Sequence, residues 1–226
     1  MNAQSNFMLE PDAVKLLASH AIDYPKNSLV TAREDIALAA QNIGFPLVMK
    51  IVSPDIIHKS DAGGVVVNVS SVEEAESAYD RITKSVRCHD SNADIKGLFL
   101  CEQAEKGEEI IIGTVIDDVF GHAIMFGLGG VFVEVLEDVT FRICPVDKKE
   151  ALQMIREIKG YEILKGMRGK PGLDIEGLAE LISKVSELVM QNDDIREVDL
   201  NPVRVYENKV SVLDARIILR SREVRR

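Results

Sequence analysis

The chain has 226 residues, 46% of them hydrophobic and 28% charged, with a formal net charge of −10 at pH 7. This is a globular composition, with material for one large domain or two small lobes. The acidic balance excludes a general nucleic-acid binder, which needs a basic face, but leaves room for a local basic pocket around a phosphate.

The three cysteines, Cys88, Cys101 and Cys144, form no CxxC pair, so neither a zinc knuckle nor a disulfide framework is indicated. No apolar run reaches membrane-spanning length, and residues 1–13 lack a signal peptide's apolar core. The expected location is cytoplasmic, with no membrane partner.

Glu10 to His20 places Ala13, Leu16 and Leu17 on one face and Pro11 in the first turn, which predicts a helix. Residues 21–29 pass through Pro25 into an extended piece. Thr31, with Glu34 three residues on, reads as a capping box for a helix over 32–42 that Gly44 and Pro46 stop. The stretch around which the chain is organised follows, GFPLVMKIVSPDIIHKSDAGGVVVN over 44–68. Its β-branched runs, 47–52 and 65–67, read as strands joined by a polar loop, 53–64. Ser71 and Glu74 cap a helix over 72–85, 87–96 is a loop, and 97–101 is a strand.

Residues 109–115 and 122–126 are predicted strands of a hairpin turning at Asp117–Gly121. Further strands are expected at Val131–Val135 and Val139–Cys144. Helices follow at 148–158 and 175–191, the second keeping its period through Ile175, Leu178, Leu181, Ile182, Val185, Leu188 and Val189. Between them, Gly160–Gly172 is rich in Gly and Lys/Arg and reads as a mobile basic loop. Short strands at 195–200, 203–206 and 210–213 close the chain before a frayed basic end, SREVRR. The expected organisation is an N-terminal α/β lobe over 1–100 and a second lobe over 101–226.

Several residues carry chemistry. Lys50 sits inside a strand, where an unpaired ammonium is costly, so it is expected to point at an anion. His58, Lys59, Ser60 and Asp61 precede Gly63-Gly64, where backbone amides can approach a ligand; an ordinary hairpin loop explains the same residues. Gly127–Gly130 suggests a nucleotide loop but fails the dinucleotide fingerprint, since Phe132 stands where the third glycine belongs, and no GxxxxGK[ST] occurs. Asn201 and Asp214 each follow a short strand. Neighbouring strands would unite them as hard oxygen ligands for Mg²⁺, although both are also common turn residues. Glu102, Glu108 and Glu109 lie at the junction of the lobes, either framing a nucleoside or forming a solvated linker. His20, His89 and His122 read as structural.

Together these residues resemble the ATP-grasp fold, an α/β (α+β) architecture of two lobes sandwiching a nucleotide. More closely, GFPLVMKIVSPDIIHKSDAGGV, FGLGGVFVEVLEDVTFRICPV and REVDLNPVRV…VSVLDARI resemble the β subunit of the ADP-forming acyl-CoA (acetyl-CoA) synthetases. The likeness runs from about Leu9 to Ile218 and extends, more distantly, to the succinyl-CoA synthetase β subunit. It implies that Lys50 binds nucleotide phosphates, that the backbone of Glu102, Gln103 and Ala104 reads adenine, and that Glu109 holds the ribose. It also implies that Asn201 and Asp214 bind Mg²⁺ and that Asp199 faces an arriving phosphohistidine. That histidine would belong to an α subunit carrying the CoA-binding and phosphohistidine domains, in an α2β2 assembly. One departure is SHAIDYP, where the family usually has a glycine-containing turn.

The implied reaction is reversible conversion of acyl-CoA, ADP and phosphate to acid, ATP and CoA. Lys50 and Mg²⁺ would neutralise charge, with Arg142 and the Gly127–Gly130 backbone, including Gly129 and Gly130, assisting. His58 is expected to join the phosphoryl relay, its tautomer set by Asp61 if the loop folds back. Two other readings stand beside this one: a carboxylate ligase acting on an unknown acceptor, and a non-catalytic nucleotide-binding scaffold.

Overall fold

The computed structural model describes residues 7–130, 138–167, 169 and 171–220. They form two compact units: 25–105 make one, and the described parts of 6–24 and 106–226 make the other. The first elements, β1 (Phe7–Met8) and α1 (Glu10–Ser19), belong to the second unit. This differs from the division expected at 1–100 and 101–226. The reason is pairing: Phe7 and Met8 lie opposite Ile218 and Ile217 near the far end of the chain.

The smaller unit comprises β2 (Asn27–Val30), a 3₁₀ turn (Arg33–Asp35), α2 (Ile36–Ile43), β3 (Leu47–Val52), β4 (Val65–Val69), α3 (Val72–His89) and β5 (Gly97–Glu102). Its antiparallel sheet has the order β2-β5-β3-β4. Alternation along β3 turns Leu47, Met49 and Ile51 into a core with Ile36, Ala40, Ala75, Ile82, Leu98 and Leu100. Val48 and Lys50 face the other way and are half-buried.

The Ser71 hydroxyl caps α3 by accepting the Glu74 N–H at 3.2 Å. Glu74 reaches back to Ser70 rather than to Ser71, accepting its N–H at 2.7 Å and its hydroxyl at 2.8 Å. The helix runs to His89, past the expected end at Ser85, because Val86 continues the buried stripe of Ala75, Ala78 and Ile82. The box expected at Thr31 does not form. A 3₁₀ turn with Ala32 at its N-cap stands there, and the Asp35 N–H bonds the Ala32 carbonyl at 3.3 Å.

The larger unit adds β6 (Glu108–Asp117), β7 (Gly121–Leu128), β8 (Val139–Ile143), α4 (Lys148–Glu157), α5 (Tyr161–Lys165), α6 (Ile175–Gln191), β9 (Ile195–Val205), β10 (Val210–Val212) and β11 (Ala215–Leu219). The sheet order is β1-β11-β9-β6-β7-β8, with β10 also paired to β9. One face carries Ile110, Ile112, Phe126, Val198 and Leu200 into a core with α1, α4 and α6. Tyr24 Oη lies 2.7 Å from both Glu10 Oε1 and the Leu213 carbonyl, tying the start of the chain to the segment before β11.

The strands expected at 195–200 and 203–206 are one strand, β9. Pro202 contributes only its carbonyl, which accepts the Leu213 N–H at 3.0 Å. The sequence pattern does not predict β11. The basic stretch 160–172 contains α5, whose Leu164 is fully buried in the core. The strand expected at Val131–Val135 and the end SREVRR lie outside the described residues.

Two buried hydroxyls of the larger unit are satisfied: Thr114 accepts the Val198 N–H at 3.0 Å, and Ser186 accepts the Val146 N–H at 2.8 Å. His122 differs. It is only 6% exposed, and neither ring nitrogen has a partner among the described residues. Desolvation, and secondarily Arg220, push its pKa below the ordinary value, with Asp193 pulling the other way. The native state therefore binds fewer protons than the unfolded chain, and stability falls as pH drops below the unfolded value near 6.5. Denaturant unfolding of wild type and His122→Leu between neutral and mildly acidic pH checks this. The wild type is expected to lose up to about 1.4 kcal/mol per pH unit more steeply than the variant.

Candidate functional site

In the smaller unit, β3 carries Lys50 on the face opposite the helices, beside Val65 of β4 and Phe99 of β5. The loop between β3 and β4 closes through nested turns: Ala62 N–H to His58 O at 3.3 Å, Gly63 N–H to Ser60 O at 3.0 Å, and Gly64 N–H to Lys59 O at 2.7 Å. Gly64 is required by space, since a Cβ there would stand 2.5 Å from the Ile51 side chain and 2.9 Å from the Lys59 carbonyl oxygen. These turns leave His58 exposed at the loop surface, with no hydrogen bond to Asp61. The loop folds back through its backbone, and the imagined tautomer lock is not made.

At the end of β5, the Glu102 N–H bonds Lys26 O at 2.8 Å and the Gln103 N–H bonds Pro46 O at 3.0 Å. The Gln103 side chain is engaged by Asn68. Glu102, Gln103 and Ala104 thus form a short segment held to the sheet by backbone bonds.

In the larger unit, the face away from the helices is organised by β9. Register places Met125, Gly113, Asp199 and Arg216 side by side across β7, β6, β9 and β11. The same pairing aligns Ala215 with Leu200 and continues through the Leu213–Pro202 bond, so Asp214 falls beside Asn201. A depression of about 230 Å³ opens here, lined among others by Val115, Phe141, Glu197 and Asp199. The Asp199 carboxyl is pushed above the ordinary carboxylate range by desolvation first, then by Asp214, with Arg216 opposing and Glu197 adding to the rise. The proximity of Asp199 to Asp214 is therefore electrostatically felt.

Further along the sheet, Glu109 Oε1 accepts from Arg204 at 2.9 Å, an ion pair across β6 and β9. No group of three or more His, Cys, Asp or Glu side chains close enough to hold a metal occurs among the described residues. Asp214 with Asn201 nonetheless supplies a carboxylate and an amide oxygen, the donor set Mg²⁺ takes when water and phosphate complete its shell.

Two expected contributors are placed elsewhere. Arg142 lies on the helix-covered side of β8 and pairs with Glu157 at 2.6 Å and Glu150 at 3.4 Å, both on α4. Its neighbours Phe141 and Ile143 are the exposed residues, so alternation turns Arg142 away from Asp199. Gly129 donates its N–H to Glu109 O at 2.6 Å, and a Cβ there would stand 2.9 Å from that carbonyl. Its glycine serves strand packing, and its amide is already bound. Gly130, at φ +63°, has open space where a side chain would be. Arg204 and Arg216 were missed from sequence. The motif LDAR contained Arg216, but only a strand over 215–219 makes it a neighbour of Asp199.

A family model described as an ATP-grasp domain matches residues 1–219. The β subunit of acetate–CoA ligase [ADP-forming] I from Pyrococcus furiosus is 45% identical over 217 residues, covering 96% of this chain and 94% of that protein. Acetyl-coenzyme A synthetase 1 of Ca. Korarchaeum cryptofilum, solved with coenzyme A, Ca-AMPCP and HgCl+, superposes with a TM-score of 0.91 at 43% identity over 95% of this chain and 93% of that one. Another structure of that enzyme holds coenzyme A and Mg-AMPPCP, with its phosphohistidine segment pointing towards the nucleotide binding site. It gives a TM-score of 0.84 at 40% identity, covering 95% of this chain and 93% of that one. By sequence and by fold, the chain belongs to the ATP-grasp family, in the group of the ADP-forming acetate–CoA ligase β subunits.

Proposed function

We propose that this chain is the nucleotide-binding β subunit of an ADP-forming acyl-CoA ligase, a subunit that acts with an α partner. The reaction is reversible: acyl-CoA, ADP and phosphate give acid, ATP and CoA. The observation that carries this reading is the nearness of Asp199, Asn201 and Asp214 that the β9–β11 register and the Leu213–Pro202 bond produce, in a chain 45% identical to such a subunit. The partner would bring the CoA-binding and phosphohistidine domains, in an α2β2 assembly working in the cytoplasm. Among the described residues, no helix is long and apolar enough to cross a membrane.

In this reading the chain does the ATP-forming half of the work. Lys50 holds the phosphates of ADP, the backbone of Glu102–Ala104 reads the base, and Glu109, kept in place by Arg204, holds the ribose. Asn201 and Asp214 would hold Mg²⁺, which when bound would supply positive charge against the phosphates. Asp199 would accept the ring N–H of the partner's phosphohistidine and so orient it. In the last step the β-phosphate oxygen of ADP attacks the phosphorus of the phosphohistidine presented to it, the P–N bond breaks and a P–O bond forms. The protein's contribution is position and charge compensation.

His58 belongs to the same proposal as a relay. Its exposed ring, on a loop braced by nested turns, would take the phosphoryl group from the partner's histidine and hand it to ADP. One P–N bond replaces another in the first step, and a P–O bond replaces it in the second.

The isolated chain is expected to bind Mg-ADP and yet to form no ATP from acyl-CoA until the α subunit is added. Robust turnover without the partner would overturn the subunit assignment. Asp214→Asn keeps size and removes a charge, and it should weaken Mg-ADP binding by about 10- to 100-fold with the thermal melt unchanged. Calorimetric titration checks this, and wild-type affinity would remove Asp214 from the metal site. In the assembled enzyme, His58→Ala should leave acyl-phosphate formation intact and abolish transfer to ADP, while labelled phosphate appears on this chain in the wild type. Near-normal transfer by the variant would make His58 a loop residue only.

A further inference from the structure

We propose that Asn68 is a positioning residue for base recognition. It clamps Gln103 so that the Gln103 carbonyl accepts from the amino group at C6 of adenine, favouring ADP over 6-oxopurine diphosphates. The inference rests on the reading of Glu102–Ala104 as the base-reading segment, and adds to it the residue that holds that segment and the selectivity that follows.

The clamp begins with a bulge in β4. Leu47 pairs with Val69 and Met49 with Val66, so Val67 and Asn68 together lie opposite the single residue Val48. Asn68 has φ +58°, a left-handed conformation that asparagine tolerates better than most side chains. In this setting two amides meet reciprocally. The Asn68 backbone N–H donates to Gln103 Oε1 at 2.6 Å, and Gln103 Nε2 donates to Asn68 Oδ1 at 2.6 Å. Both functional atoms of the Gln103 amide are thereby engaged, and the side chain serves to hold the segment.

The backbone next to it is one-sided. Gln103 N–H donates to Pro46 O at 3.0 Å, but proline has no N–H to return to the Gln103 carbonyl. Glu102 N–H is likewise bound, to Lys26 O at 2.8 Å. With the amide hydrogens of residues 102 and 103 in use, Gln103 offers its carbonyl as an acceptor. A purine bearing an amino group at C6 supplies the matching donor. A purine bearing an oxygen there brings a second acceptor against a carbonyl, and polar groups left unpaired on binding are penalised.

The test uses the assembled enzyme with its α partner and compares ADP with inosine diphosphate, whose base has oxygen for amino at C6 and a hydrogen on N1. KM and kcat for both are measured in wild type, Asn68→Gly and Asn68→Asp. Glycine keeps the left-handed backbone and removes Oδ1; aspartate keeps an acceptor at that position. Wild type is expected to prefer ADP. Asn68→Gly should raise the KM for ADP about 3- to 10-fold with kcat and the inosine diphosphate KM little changed, so that the preference shrinks. Asn68→Asp should keep wild-type values. An unchanged ADP KM in Asn68→Gly, or loss in Asn68→Asp as large as in the glycine variant, overturns the clamp while leaving the base-reading assignment standing. A fall in kcat alongside a lowered melting temperature in Asn68→Gly means a merely structural role and also overturns it. Equal use of ADP and inosine diphosphate by the wild type overturns the base-reading assignment itself, and the clamp with it.

Discussion

The register of β9 between β6 and β11 is the constraint on which the chemistry of the larger unit depends. Side chains on a strand alternate, so once Val198 and Leu200 enter the core, Asp199 and Asn201 are committed to the other face. Pairing then chooses their neighbours: Gly113 on one side, Arg216 and the approach to Asp214 on the other. A slip by one residue would bury the acids and expose the apolar partners, which the hydrophobic cost forbids. The apolar face beneath thus fixes the side of the sheet on which Asp199 and Asn201 stand.

The same logic works in the smaller unit through β3, where Leu47, Met49 and Ile51 anchor the sheet on α2 and α3 and so turn Lys50 outward. Here alternation is interrupted on purpose at one place. The β4 bulge adds a residue opposite Val48, and the extra length brings Asn68 to Gln103. Rigid strands supply position, and one irregularity supplies a specific hydrogen-bonding arrangement at the strand end.

Several residues with catalytic-looking chemistry are architectural. Arg142 braces β8 to α4 through two carboxylates, and Gly129 lets β7 approach Glu109 closely. Asp138, only 5% exposed, accepts the N–H groups of Lys159 and Gly160, each at 2.7 Å, and so fixes the turn between α4 and α5. Charge or glycine in a chain is therefore poor evidence for a ligand until the face on which it falls is known.

Hydrophobic period and local punctuation made most elements legible in the chain alone. The long stripe of α6, the Ser71 cap, the hairpin turning at Asp117–Gly121 and the strand holding Lys50 are local facts, set by spacing over a few residues. The nearness of Asn201 to Asp214 is expected from sequence as well, because each follows a short strand-like stretch. What sequence could not decide was everything set by distant partners. The N-terminal strand joined the far end of the chain because β11 offered it an edge, and β9 ran unbroken through Pro202 because ladders on both sides held it. Whether Arg142 or Arg216 would stand beside Asp199 depended on the face each strand turned to the core, and Asn68 met Gln103 only after a bulge had formed between strands. Those are non-local contacts, and only the folded chain brings their members together.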